Sequence, residues 1–269
     1  MTPKRFRNLV FSYYETHGRH ALPWRKTRNP YHILVSEVML QQTQVERVIP
    51  FYMTFLAEFP SLEELARAPL ARVLIRWQGL GYNRRAKMLH QAAKAVVQDY
   101  AGTLPHAVVA LETLPGIGPY TARAVAAFAH NEDVVFVETN LRTAVIHHFF
   151  PNEEKVSDKV ILSILEKALP KGDARRWYAA LMDYGAHLKR SGIRVNQRSK
   201  TYTKQKAFLG SGRETRGSIL RALSQKPRTK AYLMGMLGPD REEQVRQQLE
   251  KLIQEGLVEA FRSMYRLPN

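Results

Sequence analysis

The stretch LPGIGPYTA, residues 114–122, decides how the chain around it is interpreted. Gly116 and Gly118 permit a tight turn, and Pro119 suits the first turn of a following helix. Because backbone N–H groups at a helix N-terminus point outward, such a turn can hold one phosphate of a nucleic acid without reading its bases. We expect a monovalent cation on the backbone of residues 114–119 to complete the site. A plain turn between two helices is the competing interpretation.

The same glycines, followed by an apolar run that ends at Glu138, also match the dinucleotide-binding fingerprint. That fingerprint requires a buried strand directly before the first glycine. Here Glu112 and Pro115 interrupt the approach, and no further alternation of strands and helices follows. We therefore reject a nicotinamide-dependent dehydrogenase, an interpretation that a fluorescence titration with the cofactor would test.

Outside this turn, apolar residues recur three and four positions apart from about residue 5 to 188, in segments bounded by Pro, Gly, Asn and Asp. The clearest helical segments are residues 45–55, 84–100, 120–129, 160–169 and 177–188. The one strand-like run, residues 134–137, is too short to found a sheet. This part of the sequence predicts an all-α domain.

The composition changes after residue 188, because thirteen basic residues and a single acid, Glu214, lie between residues 189 and 230. Short helices over residues 219–223, 230–237 and 241–255 and a hairpin-like end then suggest a winged helix. We predict a helical domain over residues 1–188, a basic linker over 189–213 and a winged-helix-like α/β domain over 214–269. Such a module binds DNA or serves as a protein contact, and both alternatives stay open.

Charge points to a polyanionic partner, because 41 basic and 24 acidic residues give a net charge of +17. We favour nucleic acid over a membrane surface, since no basic amphipathic stretch carries a bulky apolar face. The sequence has no cysteine, which excludes disulfides, iron–sulfur clusters and thiolate zinc sites. The histidines lack metal-ligand spacing. We expect no cofactor, no side-chain metal site and a cytoplasmic, nucleoid-associated protein without a signal or transmembrane segment.

One candidate catalytic carboxylate is Glu37, which lies among apolar neighbours in VSEVMLQQTQV, residues 35–45. Desolvation there favours the protonated form, which could donate a proton to an extruded base and act as a general acid. The alternative is a carboxylate satisfied by a nearby Arg or a helix end. Gln41, Gln42 and Thr43 are uncharged hydrogen-bonding side chains suited to the hole that a flipped base leaves, or to a solvated turn.

A second candidate carboxylate is Glu138 in VETNLR, residues 137–142, where an apolar run meets residues that could cap the next helix. A positive helix end favours the ionised form of Glu138. The chain would then offer one protonated acid and one anion able to stabilise a cationic sugar, as cleavage of a glycosidic bond requires. Simple capping is the alternative role for Glu138.

A third feature is GLGYNRRA, residues 79–86, which begins a helix with an aromatic ring and two guanidinium groups. Tyr82 is suited to act as a DNA wedge, and Arg84 and Arg85 to act as a phosphate clamp.

Taken together and in chain order, these segments resemble the helix-hairpin-helix DNA glycosylases. They resemble specifically the MutY-type adenine glycosylases, which remove adenine mispaired with 8-oxoguanine. The match runs from about residue 22 to 188, and its strongest stretches are residues 22–25, 36–45, 79–86, 114–122 and 181–186. The resemblance implies a helix-hairpin-helix glycosylase fold of two helical subdomains, followed here by the winged-helix-like domain.

The resemblance also implies roles for individual residues. Glu37 would be the general acid, Tyr120 would assist it, and Asn140 would hold the catalytic site in place. Gln42 and Tyr82 would enter the helix stack. The base pocket would be lined by Trp24, Arg25 and Asp183. The other DNA-binding residues that we predict are Gln41, Thr43, Arg84, Arg85, Gly116, Gly118 and Thr121.

The chain departs from the family pattern in three places. Glu138 stands where the family has a catalytic Asp, the four cluster-binding cysteines are replaced by a basic segment, residues 189–206, and the large C-terminal domain that reads 8-oxoguanine is missing. Tyr120 stands where bifunctional relatives carry a Schiff-base Lys, so we expect a monofunctional enzyme without lyase activity.

The sequence thus predicts a monomeric, monofunctional DNA N-glycosylase that acts on double-stranded DNA and not on membranes. Its most favoured target is adenine opposite 8-oxoguanine or guanine. The alternatives are another base, namely a deaminated purine or a thymine or uracil mismatch, and a non-catalytic protein that binds distorted DNA. The substitution at Glu138 keeps this last alternative open.

Overall fold

The computed structural model describes residues 1–204 and 207–269, so Lys206 of the basic segment lies outside the described residues. The chain forms two compact units, each assembled from non-consecutive segments. The first comprises Met1–Glu37, Pro105–Thr113 and Ile117–Lys204, and the second comprises Val38–Leu104, Leu114–Gly116 and Gln205–Asn269. The predicted domain bounds stay a prediction, because the units are defined by proximity in space and not by sequence order.

The fold is mainly helical, as predicted. The α-helices of the described ranges are α1 Pro3–His17, α2 Pro30–Leu40, α3 Val45–Glu58, α4 Leu62–Arg67, α5 Leu70–Trp77, α6 Arg84–Asp99, α7 Val108–Glu112, α8 Pro119–His130, α9 Thr139–Phe149, α10 Asp158–Ala168, α11 Ala174–Arg190, α12 Gly212–Gln225, α13 Lys230–Gly235 and α14 Glu242–Gln254. The five segments with helical periodicity coincide with α3, α6, α8, α10 and α11, which confirms them as helices, although two of them extend one residue beyond the end of α6 and of α10. Within the described ranges, no helix is both long and apolar enough to cross a membrane.

Helix α11 is the centre of the first unit and packs against α1, α8 and α9. Its buried residues Trp177, Leu181, Tyr184 and Leu188 recur three to four positions apart, so one face of the helix enters the core. Phe6 of α1 contacts the Trp177 ring edge-on, with the ring centroids 6.0 Å apart. This packing fixes the helix on which the candidate pocket residue Asp183 lies.

The strand-like run at residues 134–137 forms no strand and connects α8 to α9 in an irregular conformation. The Tyr178 hydroxyl donates a hydrogen bond to the Val134 carbonyl oxygen over 2.7 Å. The Phe136 ring stacks on the Tyr178 ring with centroids 4.0 Å apart. These contacts anchor the connection to α11, and thereby hold Glu138, the residue that precedes α9.

The described part of the basic segment, residues 189–204, belongs to the first unit and is held by specific contacts. Val195–Arg198 forms a 3-10 helix, and Asn196 Nδ2 donates to Thr143 Oγ1 of α9 over 2.8 Å. Ser199 pairs with Val156 in a parallel β-bridge. Backbone and side-chain hydrogen bonds therefore hold this stretch.

In the second unit, Phe55, Leu65 and Trp77 are fully buried in a core built by α3 to α6. Its C-terminal part packs α12 against α14 and ends in an antiparallel sheet. The strands are β1 Arg228–Thr229, β2 Glu259–Phe261 and β3 Met264–Arg266, with β3 in the middle. The predicted small α/β module is confirmed, and β1 is a strand that the sequence did not reveal.

Candidate active site

Glu37 lies on α2 within an apolar stretch, and its side chain is buried at 4% exposure. Ile33, Leu34 and Val35 are buried as well, so little water reaches the carboxyl group. Burial raises the pKa of Glu37 to about 7, helped by the charge of Glu138 and opposed by the Tyr120 hydrogen bond and by Arg25. The structure thus agrees with the expectation that this site favours the protonated form.

Tyr120 lies in the first turn of α8, directly after the glycine turn. Its hydroxyl donates a hydrogen bond to Glu37 Oε2 over 2.7 Å. Burial and the neighbouring carboxylates raise the pKa of Tyr120 well above its ordinary value, so the phenol stays neutral. Tyr120 is therefore a permanent hydrogen-bond donor to the Glu37 carboxyl group.

Glu138 is the N-cap residue of α9. Its Oε1 accepts hydrogen bonds from the backbone N–H groups of Asn140 and Leu141 over 2.7 and 3.0 Å, and Asn140 Nδ2 donates to Oε2 over 3.3 Å. The capping N–H groups favour the ionised form, as the sequence predicts, but they do not set the net direction of the pKa. Burial raises the pKa of Glu138, and this outweighs the capping N–H groups and the charges of Lys189 and Arg142, which lower it.

Asn140 lies beside Glu138, where α9 meets α11. Its Oδ1 is buried and has no hydrogen-bond partner among the described residues. Gly185 of α11 allows the close approach, because a Cβ atom there would lie 2.1 Å from the Asn140 carbonyl oxygen. Gly185 lies in residues 181–186, one of the stretches that the sequence singled out. Its role is to let α11 approach α9, and no local sequence pattern shows that contact.

Asp183 is 1% exposed and holds two arginines. Arg25 donates from both terminal nitrogens over 2.5 and 2.9 Å, and Arg19 donates from Nε and its backbone N–H over 2.7 and 2.8 Å. Burial would raise the pKa of Asp183, but these bonds and charges hold it below its usual range. Both carboxylate oxygens of Asp183 accept hydrogen bonds from these arginines, so Asp183 orients Arg25 directly. Contact of either residue with a base stays a prediction.

Trp24, the third residue predicted to line the base pocket, is buried in the 3-10 helix Pro23–Arg25. Trp24 and Arg25 are neighbours in sequence, and the Arg25–Asp183 contact ties them to α11. Arg19 was missed by the sequence prediction. Only its pairing with a carboxylate 164 positions away identifies it.

The residues predicted to enter DNA lie in the second unit on two short loops. Gln42 and Tyr82 both adopt a left-handed backbone, with φ of 55° and 47°. Gln42 is exposed, whereas Gln41, Thr43 and Tyr82 are half-buried. A left-handed conformation in non-glycine residues is uncommon and costs free energy, which suggests a functional constraint on both loops.

Arg85 connects these two loops. One terminal nitrogen donates to the carbonyl oxygens of Val38, Met39 and Gln41 over 2.8, 3.0 and 2.5 Å. The other donates to Thr43 Oγ1, Leu80 O and Gly81 O over 3.2, 3.3 and 3.1 Å. Burial lowers the pKa of Arg85 to about 10. The guanidinium group of Arg85 points inward, so Arg85 differs from the phosphate clamp that we predicted and positions the two loops instead. Arg84, by contrast, is exposed.

The two glycines of the turn differ in backbone conformation and surroundings. Gly116 has a φ of 74°, and a Cβ atom there would lie 2.4 Å from Met88 Cβ. Gly118 caps α8 with a φ of −90°, and a Cβ atom there would meet nothing within 4 Å. Neither backbone strain nor internal packing requires a glycine at 118, which fits the close approach of an external group such as a phosphate. Thr121 is buried in the first turn of the same helix.

Within residues 1–204 and 207–269, no three His, Asp or Glu side chains gather in a way that could hold a metal ion.

The glycine turn that opens α8, the Glu37–Tyr120 pair and the helix-capping Glu138 define a class of helical base-excision protein. Residues 35–171, about half of the chain, match the family model of the HhH-GPD superfamily base excision DNA repair proteins, and the chain belongs to this family.

Two curated relatives are adenine DNA glycosylases. The protein from Mycolicibacterium smegmatis is 36% identical over 93% of this chain and 91% of its own length. The protein from Buchnera aphidicola subsp. Baizongia pistaciae is 35% identical over 69% of this chain, which spans only 53% of that protein. Among solved structures, a thermostable thymine-DNA glycosylase aligns with a TM-score of 0.61 at 28% identity, over 68% of this chain and 86% of that chain.

Proposed function

We propose that this chain is a monofunctional DNA N-glycosylase of base excision repair that flips adenine, mispaired with 8-oxoguanine or guanine, out of duplex DNA and excises it. The observation that carries the proposal is the hydrogen bond between Tyr120 and Glu37, in a site where the pKa of Glu37 is about 7. A group with a pKa near the working pH is suited to general-acid catalysis. The similarity to two adenine DNA glycosylases supports adenine as the target.

In the proposed reaction, Glu37 gives its proton to a ring nitrogen of the extruded base. The bond between that base and C1′ of the sugar breaks, and its electron pair leaves with the neutral base. The carboxylate of Glu138 stabilises the cationic sugar. Water then adds to C1′, and its proton passes to the Glu37 carboxylate, which restores the starting state.

We further propose that the enzyme does not cut the DNA strand itself. Tyr120 presents a neutral phenol beside Glu37, and a phenol cannot form the Schiff base that strand cleavage by a lyase requires. The product would be an intact strand with an abasic site, which breaks only after alkali.

The enzyme is proposed to work without an iron–sulfur cluster, because the chain contains no cysteine. The contacts of Asn196 and Ser199 would hold residues 189–204 in its place. We propose that the protein acts as a monomer on the nucleoid, on double-stranded DNA with a mispaired base. A monovalent cation at residues 114–119 remains part of this proposal.

Single-turnover strand scission after alkali tests the proposal with duplexes that carry adenine opposite 8-oxoguanine or guanine. Wild type should cleave them only after alkali, and Glu37→Gln should bind the same duplexes without cleaving them. Scission before alkali would contradict the monofunctional assignment. If neither these duplexes nor the thymine, uracil and hypoxanthine mispairs are cleaved but binding is tight, the non-catalytic alternative is correct.

Thymine in a mispair is a second candidate target. It is favoured by the likeness to a thymine-DNA glycosylase at 28% identity. Duplexes with thymine, uracil or hypoxanthine mispairs, assayed in the same way, decide between the targets. Faster excision of thymine than of adenine would replace the first candidate.

A further inference from the structure

Two aromatic rings of the second unit lie on one guanidinium group. The Arg213 guanidinium carbon is 5.5 Å from the centroid of the Tyr82 ring and 6.0 Å from that of the Phe208 ring. Arg213 also donates a hydrogen bond from a terminal nitrogen to the Tyr82 hydroxyl over 2.8 Å. We call Tyr82, Phe208 and Arg213 the aromatic-arginine stack. It links the loop at residues 79–82 to the entry of α12, 131 positions along the chain.

The loop before α12 holds Phe208 in a defined place. The Ser211 hydroxyl donates to the Phe208 carbonyl oxygen over 2.5 Å, and the Gly210 N–H donates to Glu214 Oε2 over 2.8 Å. Arg216 of α12 pairs with Glu255 over 2.6 Å, which ties the helix to the end of α14. Hydrogen bonds and an ion pair therefore fix the backbone that carries the side chains of this loop.

The loop presents apolar side chains to solvent. Phe208 is 56% exposed and Leu209 is 81% exposed. Two exposed apolar side chains that lie next to each other form a surface suited to contact another molecule. The guanidinium between the rings favours a polyanionic partner with flat aromatic groups, and the net charge of +17 agrees with such a partner.

We propose that Phe208 and Leu209, joined to Tyr82 by Arg213, form a composite surface that stacks against the base left unpaired opposite the extruded nucleotide. This inference rests on the proposed function, in which Tyr82 enters the duplex where a base has left it. The base that loses its partner then exposes an aromatic face beside Tyr82. Phe208 and Leu209 supply the apolar area, and Arg213 fixes the Tyr82 ring as a positioning residue.

The test uses a duplex with a tetrahydrofuran abasic analogue opposite 2-aminopurine, a fluorescent purine. A second duplex carries the abasic analogue in both strands and so offers no unpaired base. Phe208→Ala and Leu209→Ser should each weaken binding to the first duplex about tenfold and leave binding to the second unchanged. Wild type should quench the 2-aminopurine fluorescence, and both variants should quench it less.

Matched controls separate this contact from general effects. Met53→Ser replaces another exposed apolar side chain of the same unit and should change neither affinity. Arg213→Gln should follow Phe208→Ala, whereas Arg221→Gln, on the exposed side of α12, should not. Arg213→Lys should restore little, because an ammonium group lacks the planar guanidinium surface.

Equal losses on both duplexes would overturn the proposal, because they would indicate a contact with the DNA backbone. Unchanged affinity of both loop variants for both duplexes would overturn it as well, and would leave a protein partner as the occupant of this surface. Neither duplex carries a base at the abasic position, so neither can be a substrate for excision there. Failure of the excision assay and failure of this inference are therefore separate results.

Discussion

Burial of Glu37 predicts that ionisation of its carboxyl group lowers the free energy of unfolding. The group has an ordinary pKa of 4.5 and a folded-state pKa of about 7. Between these values the folded state binds more protons than the unfolded state, so stability falls as pH rises through this window. The difference of about 2.5 units corresponds to roughly 3 kcal/mol of stability. This contribution is fully present below about pH 4.5 and fully lost above about pH 7.

Glu37→Gln removes this titration and keeps an oxygen that can accept the Tyr120 hydrogen bond. We therefore expect the variant to be about 3 kcal/mol more stable than wild type at pH 8 and equal to it near pH 4.5. Urea denaturation at both pH values measures the difference, with exposed Glu154→Gln as the matched control. A Glu37→Gln variant that is no more stable at pH 8, or equally stabilised at both pH values, would refute the argument that burial sets this pKa.

Three further predictions concern turnover and packing. Tyr120→Phe removes the hydrogen bond that stabilises the ionised form of Glu37. The falling limb of the pH–rate profile should therefore move to higher pH by about one unit, and a move to lower pH would contradict this. Glu138→Gln should lower the single-turnover rate by about 100-fold or more while binding to abasic DNA is retained, which a rate near wild type would disprove. Gly185→Ala should lower the free energy of unfolding, measured by urea denaturation, by about 1–3 kcal/mol. Gly217→Ala should not, because the space around its Cβ position is open. Equal effects of the two substitutions would exclude the close approach of α11 to α9.

Features set by local pattern could be predicted from the sequence. The five strongest periodic segments are helices, because a buried face at three- and four-residue spacing is a property of the segment itself. The apolar setting of Glu37 likewise gave the right direction for its pKa. The two-residue strand β1 was missed, because pairing with β3 defines it and its own composition does not.

Long-range contacts explain the rest. Glu138 was recognised as a cap, but the half-buried position that the fold gives it raises its pKa, against the effect of the capping N–H groups. Arg85 looked like a surface arginine at a helix start, although its acceptors include carbonyl oxygens 44 to 47 positions earlier. Arg19 had no local signal at all. Each of these side chains takes its role from a partner that the fold supplies.

The inward Arg85 has a consequence for the proposed binding of DNA. Its six hydrogen bonds fasten the loops of Gln42 and Tyr82 to one rigid group before any DNA arrives. Segments that become ordered only on binding lose conformational entropy and weaken the complex. In the proposed function, in which Gln42 and Tyr82 enter the duplex, these preorganised loops would leave more of the free energy of contact available to distort the DNA.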